Sequence, residues 1–483
     1  MSKERKYILK NKTLKNLFSL SFAEIITRLV TFLLMIYVAR VFGSGAFGQV
    51  AFAQIVSEYL ALIIIFGMNT IGVREISRNK ENTGWIVKKI LSIRVLLFLL
   101  SLVVLFLIIY FMDFSGQQKV LVILYGISAC LLALTDLGWV FNGLSMMGYT
   151  GMLKVYQRGI YFILTVLFLT FITNSVYVLP IAIMISAIAT ALIGIFLMER
   201  KIESFSFKQL FQNNINQYNL RANPLIKSSL MVFFSALMVK LYYNFDTVVL
   251  KMYQFDDEII GWYNASYRLI LLLATFSGII VAVIFPLLSK LSNQNKKKLL
   301  TQSLQYMLML ILPIIIGGQI LAREILVFLY GEEFGAASLS LIILLIALLF
   351  IYLNYALGHF LLSMNKERTF IIFVTIGAVF NVVSNIILIP HYGLVAAAST
   401  TIGAELIVFS GYMYHILKNN FLVIHANWIL KIGTVMIIFA VLTYYVSMVT
   451  HLLITVLIGA FIYLLLIFLL RVITVEELKR LIK

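Results

Sequence analysis

The chain has 483 residues, 62% of them hydrophobic and 12% charged, with a formal net charge of +18. Soluble domains of any size stay well below that apolar share, so lipid rather than water is the main solvent, and the basic residues lie in short loops rather than on a face for nucleic acid. The single cysteine, Cys130, lies inside an apolar run and the five histidines have no ligand spacing, so a disulfide framework is excluded and neither metal nor cofactor is expected.

Repeated apolar runs of about 20 residues suit helices crossing roughly 30 Å of hydrocarbon, whereas barrel strands would show about 10 alternating residues. The basic segment from Met1 to Lys15 leads into the first run with no small-residue cleavage site, so an uncleaved start is expected. Spans are predicted at 17–38, 50–71, 90–111, 120–141, 153–172, 176–197 and 226–250. Further spans follow at 259–285, 299–321, 337–362, 369–389, 394–416, 429–449 and 452–470. The expectation is an all-α polytopic membrane protein with about fourteen transmembrane helices.

Loop charge tests this count, because Lys and Arg accumulate in cytoplasmic loops. Alternate loops collect 28 basic residues on one side, against Arg40, Lys119, Lys251 and Arg323 on the other. A miscounted helix would scramble every later loop. An even number of spans with both termini cytoplasmic follows, and helical spans point to a cytoplasmic (inner) membrane.

The longest polar interval, 199–224, is read as a cytoplasmic linker after the first six spans, residues 1–198. Aligning Gly48 with Gly261 sets Arg28 on Leu241, beside Lys240. One residue of slip turns a side chain by about 100°, so this near-match does not establish a repeat. If six-span units recur, the second covers 225–418, and 419–483 holds two additional helices and a tail.

Six basic residues fall within the spans or at their edges: Arg28, Arg94, Arg158, Lys240, Arg268 and Lys431. At roughly 2.5–3.5 kcal/mol for one such residue at a helix centre, they should face a protein interior or a wet cavity. Arg28 and Lys240 lie near mid-span and Arg268 in the outer part of its helix. Arg94, Arg158 and Lys431 are near enough to cytoplasmic ends for their heads to reach the interface.

Carboxylates also enter the spans, at Glu24, Glu58, Asp136, Asp246 and Glu405. Glu24 and Arg28 are four apart on one face, a spacing that fits either a structural ion pair or a proton or sodium site. Asp246 follows Tyr242, Tyr243 and Asn244, a polar cluster that serves function or meets headgroups. Glu24, Glu58, Asp246 and Glu405 are the candidates for ion coupling. No Walker loop, HExxH or GxSxG is present, so the expectation is a protein that is not an enzyme.

Several stretches carry a resemblance. Leu241, Tyr243, Asn244, Phe245 and Asp246 continue through Gly261, Tyr263, Ala265, Tyr267 and Arg268 to Phe285 and Pro286. Tyr330, Gly331 and Phe334 follow, then Asn381, Asn385, Ile389, Pro390, Tyr392, Gly393, Ala397, Ala398, Thr401 and Glu405. Nearer the start stand Phe66, Gly67, Arg74 and Glu75, with Asp136, Trp139 and Gly143. In this order, with fourteen helices, the chain resembles the Wzx-type polysaccharide-unit flippases of the multidrug/oligosaccharidyl-lipid/polysaccharide exporter superfamily. Ser145 stands where many relatives carry an acidic residue, so no role is carried onto it.

The resemblance implies two six-helix bundles around a central cavity, two further helices, and alternating access for an undecaprenyl-diphosphate-linked oligosaccharide such as an O-antigen unit. It implies a bacterial source and makes Arg28, Lys240 and Arg268 the expected phosphate partners. Membrane lipids, a coupling proton or sodium ion and other polysaccharide-assembly proteins are the expected partners. A lipid II flippase and a drug or cation exporter share the fold, and a membrane-embedded polysaccharide polymerase or ligase is the reading from another class. That last would want a large polar outer loop, which the charge pattern does not provide.

Overall fold

The computed structural model describes residues 3–202, 224–288, 293–423 and 425–473. The predicted linker 199–224 lies almost wholly outside them, as does the end of the C-terminal tail. Every regular element among the described residues is helical. Hydrocarbon offers backbone amides and carbonyls no partner, and a helix satisfies them within its own segment.

In chain order the helices are α1 (Lys3–Ile65), α2 (Met68–Arg78), α3 (Thr83–Phe111), α4 (Gly116–Thr135), α5 (Gly138–Gly143), α6 (Met147–Phe171) and α7 (Val178–Lys201). After the linker come α8 (Pro224–Met252), α9 (Asp257–Leu288), α10 (Asn293–Ile320), α11 (Ala322–Tyr330) and a 3₁₀ segment, Glu332–Ala337. The last four are α12 (Ser338–Ser363), α13 (Glu367–Lys418), α14 (Ala426–Val449) and α15 (Leu452–Leu469).

Two of these are hairpins. In a straight helix Met35 and Gln54 would lie about 28 Å apart, at 1.5 Å per residue, yet the Gln54 amide reaches the Met35 sulfur at 4.0 Å. The chain turns back at Gly43, whose φ of 76° is a left-handed conformation that favours glycine. The same occurs in α13, where Gly393 has φ 54° and Gly411 packs directly on the Phe373 ring. Eleven runs among the described residues are long and apolar enough to cross a membrane. The runs that contain Gly43 and Gly393 hold two crossings each, and with α8 the described residues supply fourteen. The all-helical, multi-pass expectation is borne out.

The residues fall into two compact units, Met1–Phe42 with Ala46–Asn244, and Gly43–Gly45 with Phe245–Lys483. In the first, α4 packs on α7, α6 on α7, and α2 on α5. Its core gathers Met68, Ile76, Val87, Ile90, Trp139, Phe141 and Met198. One face of α3 stays open: Leu96, Leu99, Leu100, Val103, Phe106, Leu107 and Tyr110 are exposed at helical spacing. An apolar stripe of that length is a lipid contact.

In the second unit α12 packs on α9, α10 and α13 and is buried along most of its length, from Ser340 to Leu361. A helix apolar on every side belongs at a core. Helices α14 and α15 pair and dock on α10 through Ile432, Val435, Met436 and Phe439, spaced three and four apart. The Tyr463 hydroxyl donates to the Met309 carbonyl, tying α15 to α10.

Candidate functional site

The first unit holds two charged networks in otherwise apolar helices. Glu24 and Arg28 lie one turn apart on α1, and Arg28 Nε donates to Glu24 Oε1 at 3.3 Å. The other carboxylate oxygen, Oε2, accepts from Lys154 Nζ at 3.1 Å, from the second turn of α6. One carboxylate therefore bridges two cations from two helices. Their side chains are 42% exposed for Glu24, 50% for Arg28 and 48% for Lys154.

The second network joins α1 to α8. Lys240 Nζ pairs with Glu58, whose same oxygen accepts from Asn244 Nδ2 at 3.1 Å. The Tyr59 hydroxyl donates to the Lys240 carbonyl at 3.2 Å, fixing the backbone of the lysine beside its partner. Lys240 stands near the middle of α8, with its side chain 36% exposed and that of Glu58 47% exposed. Charge facing hydrocarbon there would be expensive, and the pairing of Lys240 with Glu58 offsets part of that cost.

Arg94 behaves differently from the sequence expectation. It does not reach for the interface but is fully buried, with its head fixed from three sides. Its Nη1 donates to the carbonyls of Ala133 at 3.1 Å and Asp136 at 3.0 Å, at the C-terminal end of α4. Its Nη2 donates to the Asn69 amide oxygen, and Asn69 Nδ2 donates to Asp136 Oδ2 at 3.0 Å. The other Asp136 oxygen accepts from Gly138 N at 3.0 Å, starting α5. The guanidinium also lies over the Trp139 ring, 5.8 Å from its centroid. The end carbonyls of a helix carry partial negative charge and lack intrahelical partners, and Arg94 supplies both donors and charge.

In the second unit Asp246 is buried rather than turned to headgroups. It accepts from the Tyr263 hydroxyl and from Thr247 N at 2.7 Å. Asn264 Nδ2 donates to Thr247 Oγ1 at 3.2 Å, so α8 and α9 share one polar seam. On α13, Asn385 bonds Asn381 at 3.1 Å and accepts from Thr400 across the Gly393 turn. Glu405, also buried, accepts from Asn354 Nδ2 at 2.7 Å. Arg268 is half-buried on α9. No group of three or more acidic, histidine or cysteine side chains that could hold a metal occurs among the described residues.

Of the residues singled out from sequence, the structure brings together Glu24 with Arg28 and Glu58 with Lys240. Asp246, Arg268 and Glu405 belong to the other unit. Sequence reasoning missed Lys154 as a partner because it counted as a loop charge, and missed the Arg94, Asn69 and Asp136 cluster because Asn69 is uncharged and 25 residues from Arg94.

Comparison with known proteins places these features. The family described as "Polysaccharide biosynthesis protein" matches residues 13–292. A "Probable low-salt glycan biosynthesis flippase Agl15" of Haloferax volcanii is 25% identical over 205 residues, 42% of this chain and 42% of that protein. The alignment thus spans about two-fifths of that relative's length. Among solved structures, lipid II flippase MurJ in an inward closed conformation has a TM-score of 0.72 at 17% identity, covering 96% of this chain and 99% of that one. An inward-facing multidrug resistance MATE family transporter of the MOP superfamily has a TM-score of 0.60 at 15% identity, covering 81% and 94%. These two are likenesses of fold. The family match spans more than half of the residues and includes both charged networks, and the chain belongs to the polysaccharide biosynthesis protein family.

Proposed function

We propose that this chain is a flippase that moves an undecaprenyl-diphosphate-linked oligosaccharide repeat unit, such as an O-antigen unit, from the cytoplasmic to the outer leaflet by alternating access. The observation that carries the reading is the pair of half-exposed charged networks, Glu24 with Arg28 and Lys154, and Glu58 with Lys240, inside membrane helices of a polysaccharide biosynthesis protein. A glycan can cross on a wet path, but its diphosphate needs cations along the way. Arg28 and Lys240 are its partners in the first unit and Arg268 in the second. The flippase named among the relatives supports this reading.

In this reading the movement is coupled to a proton or sodium ion, with Asp246 the foremost carboxylate because it is buried among hydroxyls and amides. Glu405 has the same character, whereas Glu24 and Glu58 serve as counter-ions to cations. The chain sits in a bacterial cytoplasmic membrane with both termini in the cytoplasm, following the loop charge. Six-helix bundles cover 1–198 and 225–418, the linker 199–224 is cytoplasmic, and 419–483 adds two helices and a tail. Other polysaccharide-assembly proteins are its partners there.

A second reading, transport of lipid II, is favoured by the fold likeness to MurJ over nearly the whole chain. The test reconstitutes the protein in proteoliposomes with either lipid and compares it with Arg28→Ala and Lys240→Ala. Flipping of the oligosaccharide lipid that is lost in both variants supports the proposal, and flipping of lipid II alone replaces it with the second reading.

A further inference from the structure

The Glu24 carboxylate is placed as an anion between two cations. Its two oxygens point to different partners, Arg28 on its own helix at 3.3 Å and Lys154 on α6 at 3.1 Å. As a pure brace this adds little, because ion pairs with half-exposed side chains contribute scarcely any stability. Each of the three side chains is 42–50% exposed, so the cluster is open on one side rather than sealed in the core. The other network lacks this form, since Glu58 meets one cation and an amide.

Charge points the same way. Arg28 and Lys154 carry two positive charges, of which Glu24 cancels one. A diphosphate substituted at both ends carries two negative charges, one on each phosphoryl group, and so matches the two cations once the carboxylate has left. The guanidinium and the ammonium both suit phosphoryl oxygens, the first through paired donors and the second as a point charge. By loop charge, Glu24 and Lys154 lie toward the basic, cytoplasmic side, where a lipid-carried diphosphate sits at headgroup level.

We infer that Glu24 is a resident placeholder for a phosphoryl group, that Lys154 is a substrate-phosphate residue together with Arg28, and that Glu24 sets affinity by competing with the diphosphate. This rests on the flippase reading above and goes beyond it by adding Lys154 and by making Glu24 a competitor of the substrate rather than a fixed counter-ion.

The test measures binding of inorganic pyrophosphate to the full chain in nanodiscs of zwitterionic lipid, repeated with phosphatidylglycerol added as a rival source of phosphoryl groups. Glu24→Gln is expected to bind at least about threefold tighter, Lys154→Gln about threefold weaker or worse, and Lys154→Arg near the parent. Phosphatidylglycerol is expected to shift these affinities less than twofold; abolition of binding by that lipid makes this a bulk headgroup site and overturns the inference. No tightening in Glu24→Gln also overturns it, as does a Lys154→Gln loss accompanied by lowered heat stability and not restored in Lys154→Arg, which marks a brace. Flipping assayed on the same preparations separates the two ideas. A parent that flips while Glu24→Gln binds no tighter sinks this inference alone, and a parent that shows the affinity pattern but flips no lipid-linked oligosaccharide sinks the flippase reading.

Discussion

Arg94 Nη2 donates to the Asn69 amide oxygen, and through that bond the break between α1 and α2 is joined to the break between α4 and α5. Asn69 sits in the first turn of α2, just after Phe66 and Gly67 take left-handed conformations. From the other side Arg94 holds the last carbonyls of α4, and Asp136 starts α5. Two interrupted helices thus share one buried cation.

Removing that cation leaves the Ala133 and Asp136 carbonyls and the half-buried Asn69 amide oxygen without their donor. Arg94→Leu is expected to destabilise by about 1–3 kcal/mol for each buried acceptor left unmet. Arg94→Lys should recover only part of it, because an ammonium cannot reach both carbonyls and the amide oxygen at once. Heat stability followed by size-exclusion chromatography in detergent reads this out, and a leucine variant as stable as the parent contradicts it.

The Glu58 and Lys240 pair makes a charge-exchange test. Under the proposed flippase function, Glu58→Lys and Lys240→Glu should each reduce flipping about tenfold or more, and the double exchange should regain a good part of it. If the double exchange is worse than either single change, the pair does not act as one unit.

Asp246 is buried against Tyr263, and its hydrogen-bond partners among the described residues are a hydroxyl and a backbone amide, so an incoming proton or sodium ion would compensate its charge. Asp246→Asn should abolish stimulation of flipping by an imposed proton or sodium gradient while pyrophosphate binding persists. A full gradient response in that variant would move ion coupling to Glu405.

Gly393 carries the α13 hairpin in a left-handed conformation, and an added Cβ would meet the Phe255 ring at 3.0 Å. Gly393→Ala should destabilise by about 1–2 kcal/mol from the backbone alone. Gly393→Asn should bring little relief, since φ 54° with ψ −131° lies outside the left-handed helical region that asparagine tolerates. Equal thermal midpoints for the parent and the alanine variant would place the strain elsewhere.

Much of the fold was legible because a membrane span is a long signal: run length and alternating loop charge gave fourteen crossings, and the same number emerges from the helices. At Gly43 and Gly393 the backbone leaves helical geometry and the chain turns back, and hydropathy marked a span on each side of both turns. The site was less legible. The pairing of Glu24 with Arg28 lies within one helical turn and could be read locally, but Lys154 is 130 residues away and Lys240 is 182 residues from Glu58. Only tertiary packing sets those distances. Arg94 was misjudged because closeness to a helix end says nothing of which way the side chain turns, and a chain of donors to Ala133, Asp136 and Asn69 outweighed the short route to water.

The buried arginine also governs how the protein is made. Arg94 is synthesised 39 residues before Ala133 and 42 before Asp136, so when α3 reaches the membrane only Asn69 is there to receive it. An arginine helix on its own is poorly held by lipid. The charge is therefore fully met only once α4 has followed α3, and α2 to α5 depend on one another for it. A nascent chain that stops between these points holds the Arg94 head by Asn69 without the two α4 carbonyls.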